Sequence, residues 1–139
     1  VERLSALGAA INYSRIAGRL PLHASSSGLV LLAYGTSKLQ ERMLEGPMKV
    51  YTDNTIHTSR QLRDALARVR QQGFALCAGH IFPDTTGIAV PIHCWNNSVV
   101  AALALTVPND ENAYTQIPAL LAAARGISRT ACGSLAPGK

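Results

Sequence analysis

Three consecutive serines, Ser25, Ser26 and Ser27, follow His23 and precede an unbroken apolar run over 29–33. Serine beside histidine raises nucleophilic catalysis, but no Gly-x-Ser-x-Gly elbow surrounds these residues and no acid is paired with them. The nearest acid to the stretch in function is Asp84, in an expected loop, and His80 is a lone candidate general base. The same serines also read as the start of a helix, because a serine oxygen at the N-cap bonds an otherwise unpaired N2 or N3 amide. The amides left over, at the positive end of the helix dipole, suit a carboxylate or another anion. A capped core helix with nothing bound accounts for the same residues.

A second group is Cys77-x-x-His80, with His93 and Cys94 further on. These are soft ligands that suit zinc, although adjacent His93 and Cys94 point to opposite faces of a strand, so only one can join the others. Cys77 alone could make a thiol-based sensor. That chemistry needs a depressed thiol pKa, for which Leu76, Ala78 and Gly79 give no reason. A buried cysteine with surface histidines is the plain alternative. The three cysteines, Cys77, Cys94 and Cys132, are odd in number and contain no C-x-x-C pair. That pattern suits a reducing cytosol better than a disulfide framework, and a cytoplasmic location is expected.

The elements that must hold these residues fit one domain. The chain has 139 residues, 47% of them hydrophobic, enough for an ordinary core and too apolar for disorder. No apolar stretch reaches membrane-spanning length, and no signal peptide or membrane partner is expected. The net charge is +5, but the 13 basic residues are scattered, which describes a solvated surface rather than a nucleic-acid face.

Strands are expected over 1–4 and 12–16, and the start reads as a strand already in progress. The run 29–33 has no polar face and should be buried as a helix, with Gly35 as its C-cap. A short helix over 36–44 ends at Gly46-Pro47, and 47–58 is a connecting loop. Thr58 and Gln61 form a capping-box pair ahead of Leu62, Ala65, Leu66 and Val69 at i, i+3, i+4 and i+7, which predicts a one-faced helix lying on a sheet and ended by Gly73. Strands follow over 74–78, 86–93 and 99–107, the last two joined by the turn Trp95-Asn96-Asn97-Ser98. Their alternation places Ile88, Val90, Ile92, Leu103 and Leu105 on one face and Gly87, Ala89, Ala102, Ala104 and Thr106 on the other. So small a face either admits a helix very closely or leaves room for a ligand. A closing helix over 114–130 is buried through Ile117, Leu120, Leu121, Ala124 and Ile127, with Pro118 in its first turn, before a flexible tail over 133–139.

Together these pieces resemble the effector-binding domain of IclR-type bacterial transcription regulators. The resemblance is carried by Gly18-Arg19-Leu20-Pro21-Leu22-His23-Ala24-Ser25, by Gly28 with Leu31-Leu32-Ala33, and by Leu62-Arg63-x-x-Leu66-Ala67-x-Val69-Arg70-x-x-Gly73-Phe74-Ala75. It continues through Gly87-Ile88-Ala89-Val90-Pro91-Ile92, Val99-Val100-Ala101-Ala102-Leu103 and Leu120-Leu121-x-Ala123-Ala124-x-x-Ile127-Ser128, in the family's order. It implies a GAF/profilin-like α+β domain over 1–132, with a curved antiparallel β-sheet flanked by helices. It also implies a winged helix-turn-helix domain before Val1 that this chain lacks, so DNA would be reached only through that domain. Dimers or tetramers are implied, and no enzymatic activity, cofactor or resident metal.

Carried over residue by residue, the resemblance implies a small carboxylate effector held by Ser26 and Ser27 at the helix start, with Cys77, Thr85, Gly87, Ala104 and Thr106 on the sheet. Where relatives that take small polar acids place an aspartate, this chain has Cys77. Where they use two hydroxyls it has Ala104 and Thr106, and Gly79 and His80 replace a common acidic pair. Fewer polar groups favour a carboxylate with a larger apolar or aromatic body. A zinc-binding or thiol-based sensor using Cys77 and His80 is the alternative function.

Overall fold

The computed structural model describes residues 19–133, so the strands expected over 1–4 and 12–16 lie outside the described residues. Gly133 is the last residue of the final helix, and the rest of the expected tail also lies outside them.

Helix α1 (Ser26–Ala33) starts as its serines predict, with Ser25 at the N-cap. The Ser25 hydroxyl accepts from the Gly28 amide at 3.1 Å and donates to the Pro21 carbonyl at 2.7 Å, which ties the entry turn to the first helical turn. Gly28 has to be glycine. A Cβ there would fall 2.7 Å from the Leu22 backbone and 2.5 Å from Ser25 Oγ. Helix α2 (Ser37–Glu45) is capped by Thr36 and stops at Gly46.

Helix α3 (Ser59–Gln72) has both halves of its capping box, with Gln61 N to Thr58 Oγ1 at 3.1 Å and Thr58 N to Gln61 Oε1 at 3.2 Å. It buries Leu62, Leu66 and Val69 and ends at Gly73. Each of those side chains contributes roughly 1.5–3 kcal/mol by leaving water. They rest chiefly on α1 rather than on the sheet, which corrects the expected placement. The buried helix α1 occupies the sheet and α3 forms a layer above it.

Three antiparallel strands, β1 (Ala75–Ala78), β2 (Thr85–His93) and β3 (Val99–Pro108), pair in that order. The alternation holds. Ile88, Val90 and Ile92 pack with Leu103 and Leu105 under helix α4 (Ile117–Gly133), where Ile117, Leu120 and Ala124 are buried. The small-residue face lies beneath α1, with Ala75, Cys77 and Ala89 in the core that α1 and α3 share. A 3₁₀ turn (Ala113–Gln116) leads into α4, and Pro118 falls in the first turn of that helix, where no amide partner is needed. No described helix is long and apolar enough to cross a membrane.

Some expectations fail for reasons of packing. Leu31, in the run read as apolar on every side, is 42% exposed because α1 is covered on only part of its circumference. Ile127 is 38% exposed, on the side of α4 turned away from the sheet. Tyr34 rather than Gly35 is the C-cap of α1. Cys94 and Cys132, 38 residues apart, are joined by a disulfide with a Cα–Cα separation of 5.4 Å, contrary to the reading of all three cysteines as reduced. Free Cys77 is buried.

Candidate functional site

The register of the sheet brings the expected site residues together. Cys77 pairs with Gly87, and Gly87 with Thr106, so these three form one row across β1, β2 and β3. The next row on the same face is Ala75, Ala89 and Ala104. Thr85 begins the row on the other side, opposite Pro108. Cross-strand partners present their side chains to one face, about 5 Å apart, so the small-residue face is continuous from β1 to β3.

The start of α1 sits directly on this face. A Cβ at Gly87 would meet Ser26 Oγ at 2.8 Å, and its position is 4.0 Å from the Ser26 amide nitrogen. Gly87 is therefore the residue that lets the helix start come down onto the strand. As the first residues of the helix, Ser26 and Ser27 cannot bond their amides within it, and neither amide has a partner among the described residues. The Ser26 side chain is buried and Ser27 is half-buried.

Coverage falls off toward β3. Cys77 is 4% exposed, whereas Thr106 is half-buried and Ala104 is exposed. Leu31, on α1, is also exposed. The open part of the small-residue face is thus an apolar shelf on β3, beside the two free amides. Ala104 lies in register with Ala102 and Thr106 and opposite the strand that carries Gly87, where its partner is Ala89, as expected, but it is exposed rather than enclosed.

Burial pushes the Cys77 thiol up to about 12, so the free side chain is a neutral thiol and not the thiolate that a thiol sensor requires. Cys94 is committed to Cys132, and no group of three metal-type side chains comes together among the described residues. The described residues thus assemble no set of three metal ligands around Cys77 and His80. His80 lies apart from the row. It lines a cleft of about 310 Å³ between α3 and β1, with Asn54, Gln61, Asp64 and Arg68. Its Nδ1 is buried without a partner, and burial lowers its pKa.

Residues that the sequence did not single out also shape the site's surroundings. Thr55 accepts from the Tyr51 and Thr52 amides at 3.0 and 2.9 Å and donates to the His80 carbonyl, clasping the long loop to the β1–β2 connection. His23, met first as a companion of the serines, instead holds the Lys49 carbonyl through Nε2 at 2.8 Å. Only the polar run of the loop hinted at the first contact, and nothing local signalled the second.

A sheet sandwiched between helices, with free helix-start amides beside an open apolar shelf, is an arrangement suited to holding a small molecule. The family model described as the bacterial transcriptional regulator IclR C-terminal domain matches residues 1–132, and the chain belongs to that family. Proteins of this family are transcription regulators rather than enzymes, and this part of them is the effector-binding domain. The chain is 36% identical over 107 residues to the HTH-type transcriptional regulator XynR of Escherichia coli K12, covering 76% of this chain and 42% of XynR. It is 31% identical over 133 residues to the Pca regulon regulatory protein of Pseudomonas putida, covering 91% and 44%. The chain thus spans less than half the length of these curated relatives. Among solved structures, an IclR homolog from Microbacterium hydrocarbonoxydans complexed with 4-hydroxybenzoate superposes with a TM-score of 0.87 at 39% identity, over 91% of this chain and 52% of that one.

Proposed function

We propose that this domain binds a carboxylate with an apolar or aromatic body on the α1 face of its sheet. Through that ligand it would control DNA binding by a longer IclR-type regulator, whose winged helix-turn-helix domain lies outside this chain and which assembles as a dimer or tetramer. The observation that carries the reading is the pair of unpartnered amides, Ser26 and Ser27, held beside the small-residue face by the close seat on Gly87. That seat brings the helix start against β2 at Gly87. The carboxylate therefore approaches from the β3 side, with its charge toward the amides and its body on the shelf of Ala104 and Thr106. Thr85 flanks the row at the start of β2, and Cys77 lies behind the seat on β1, buried in the core. Cys77 offers a neutral thiol, so it neither repels the anion nor adds a charge-assisted hydrogen bond. The relative complexed with 4-hydroxybenzoate supports a ligand of this class.

Thermal-shift screening of the purified chain tests the proposal. Aromatic and long-chain carboxylates should raise the melting temperature more than pyruvate or glyoxylate at equal concentration. Stabilisation by sugars or nucleobases, with carboxylates inert, would overturn it.

A further inference from the structure

We propose that Cys94 and Cys132 form a reversible thiol–disulfide latch that fixes the end of α4 to the β2–β3 turn. The two residues meet at opposite ends of a 38-residue separation, with Cα atoms 5.4 Å apart, inside the range that a disulfide requires. The join is not isolated. Ser128, one turn before Cys132 on α4, donates its hydroxyl to the carbonyl of His93, the neighbour of Cys94. His93 marks a register irregularity at the end of β2, and the turn beyond it is closed by Asn96 and Asn97 in left-handed conformations at φ 55 and 60. The His93 ring also meets Tyr34, the C-cap of α1, edge-on at 5.7 Å between centroids. Helix end, hairpin turn and C-cap thus converge on one point, and the disulfide is its covalent member.

Two features make the bond reversible rather than permanent. One is that Cys94 is half-exposed at a surface turn, where an external thiol or disulfide can reach its sulfur, with Cys132 buried behind it. A transcription regulator also works where thiols are kept reduced, and disulfides there are more often transient and redox-sensing than structural. The oxidant is a low-molecular-weight disulfide. The Cys94 thiolate attacks one of its sulfurs, forming a mixed disulfide and releasing one thiolate. Cys132, as thiolate, then attacks the Cys94 sulfur, forming the protein disulfide and releasing the second. Two protein thiols are oxidised, one external disulfide is reduced to two thiols, and the protons pass to the released thiolates. Cys77, buried under α1, takes no part.

The test equilibrates the full 139-residue chain with defined ratios of reduced and oxidised glutathione, then alkylates it in denaturant and weighs it. Oxidised protein should carry one alkyl group, on Cys77, and reduced protein three, with a conversion midpoint at an accessible ratio. Melting should be higher for the oxidised form by on the order of 10 °C, from the entropy that the closed loop removes from the unfolded chain. Cys94→Ser and Cys132→Ser should each abolish the redox-dependent shift, while Cys77→Ala keeps it whatever its own starting stability. Three alkyl groups at every ratio would overturn the proposal, as would a bond that native protein never opens under excess reduced glutathione, or pairing through Cys77.

Discussion

At Ala104 a leucine would project from β3 onto the open shelf rather than into a packed interior, because the alanine is exposed. Ala104→Leu should therefore change stability by no more than about 0.5 kcal/mol, the range of ordinary surface substitutions, while carboxylate affinity falls at least tenfold. Urea unfolding and isothermal titration on the one variant check both halves. A loss of roughly 1–3 kcal/mol, typical of overpacking, with binding intact would place the ligand elsewhere. Cys77 gives a pH dependence of definite sign. Its folded thiol holds its proton up to about pH 12, whereas the unfolded thiol loses it near 9. The unfolded state binds fewer protons between those values, so the Cys77 contribution is fully present below pH 9 and is lost as pH rises toward 12. Denaturant unfolding across that window should show the parent losing about 1.4 kcal/mol per pH unit more than Cys77→Ala. Equal slopes would show that the thiol is in contact with water. The small-residue face was legible from alternation alone. The exposure of Ala104 was not, since it depends on how far α1 extends across the sheet.

Among the elements, local signals were the most legible. The Thr58–Gln61 box, Gly73 and the period of Leu62, Leu66 and Val69 lie within a few turns of one another, and α3 forms as they dictate. What α3 packs against is a tertiary matter, as are the exposed Leu31 and Ile127 and the pairing of Cys94 with Cys132. Periodicity reports a face without reporting the neighbour that covers it, and an odd cysteine count cannot say which two meet. Thr58→Ala should cost about 1 kcal/mol of stability through the lost cap and leave ligand affinity unchanged. Gly87→Ala belongs to the same scale with a different outcome. Its methyl group would stand 2.8 Å from Ser26 Oγ, so the helix start must lift from β2. That variant should lose both stability and binding. Retention of full affinity, measured by titration, would show that the seat of α1 on β2 does not position the site.

For the molecule as a whole, the proposed function divides the work between this chain and the rest of a longer regulator. The 13 basic residues are scattered along the sequence, and the arginines of α3 are exposed, with Arg70 also donating to the Ala33 carbonyl. The chain should bind a promoter fragment only weakly and without sequence preference, with affinity falling steeply as salt is added. Specific retention at physiological salt in a gel-shift assay would contradict that division. The central claim, a carboxylate at the start of α1 with its body on β3, is tested most directly by titrating ¹⁵N-labelled protein with 4-hydroxybenzoate and following the amide resonances. The account predicts saturable shifts largest at Ser26 and Ser27, with a second group at Ala104, Leu105 and Thr106, and much smaller shifts for 4-hydroxybenzamide. Shifts concentrated instead at Asn54, Gln61 and His80, or equal responses to acid and amide, would contradict it.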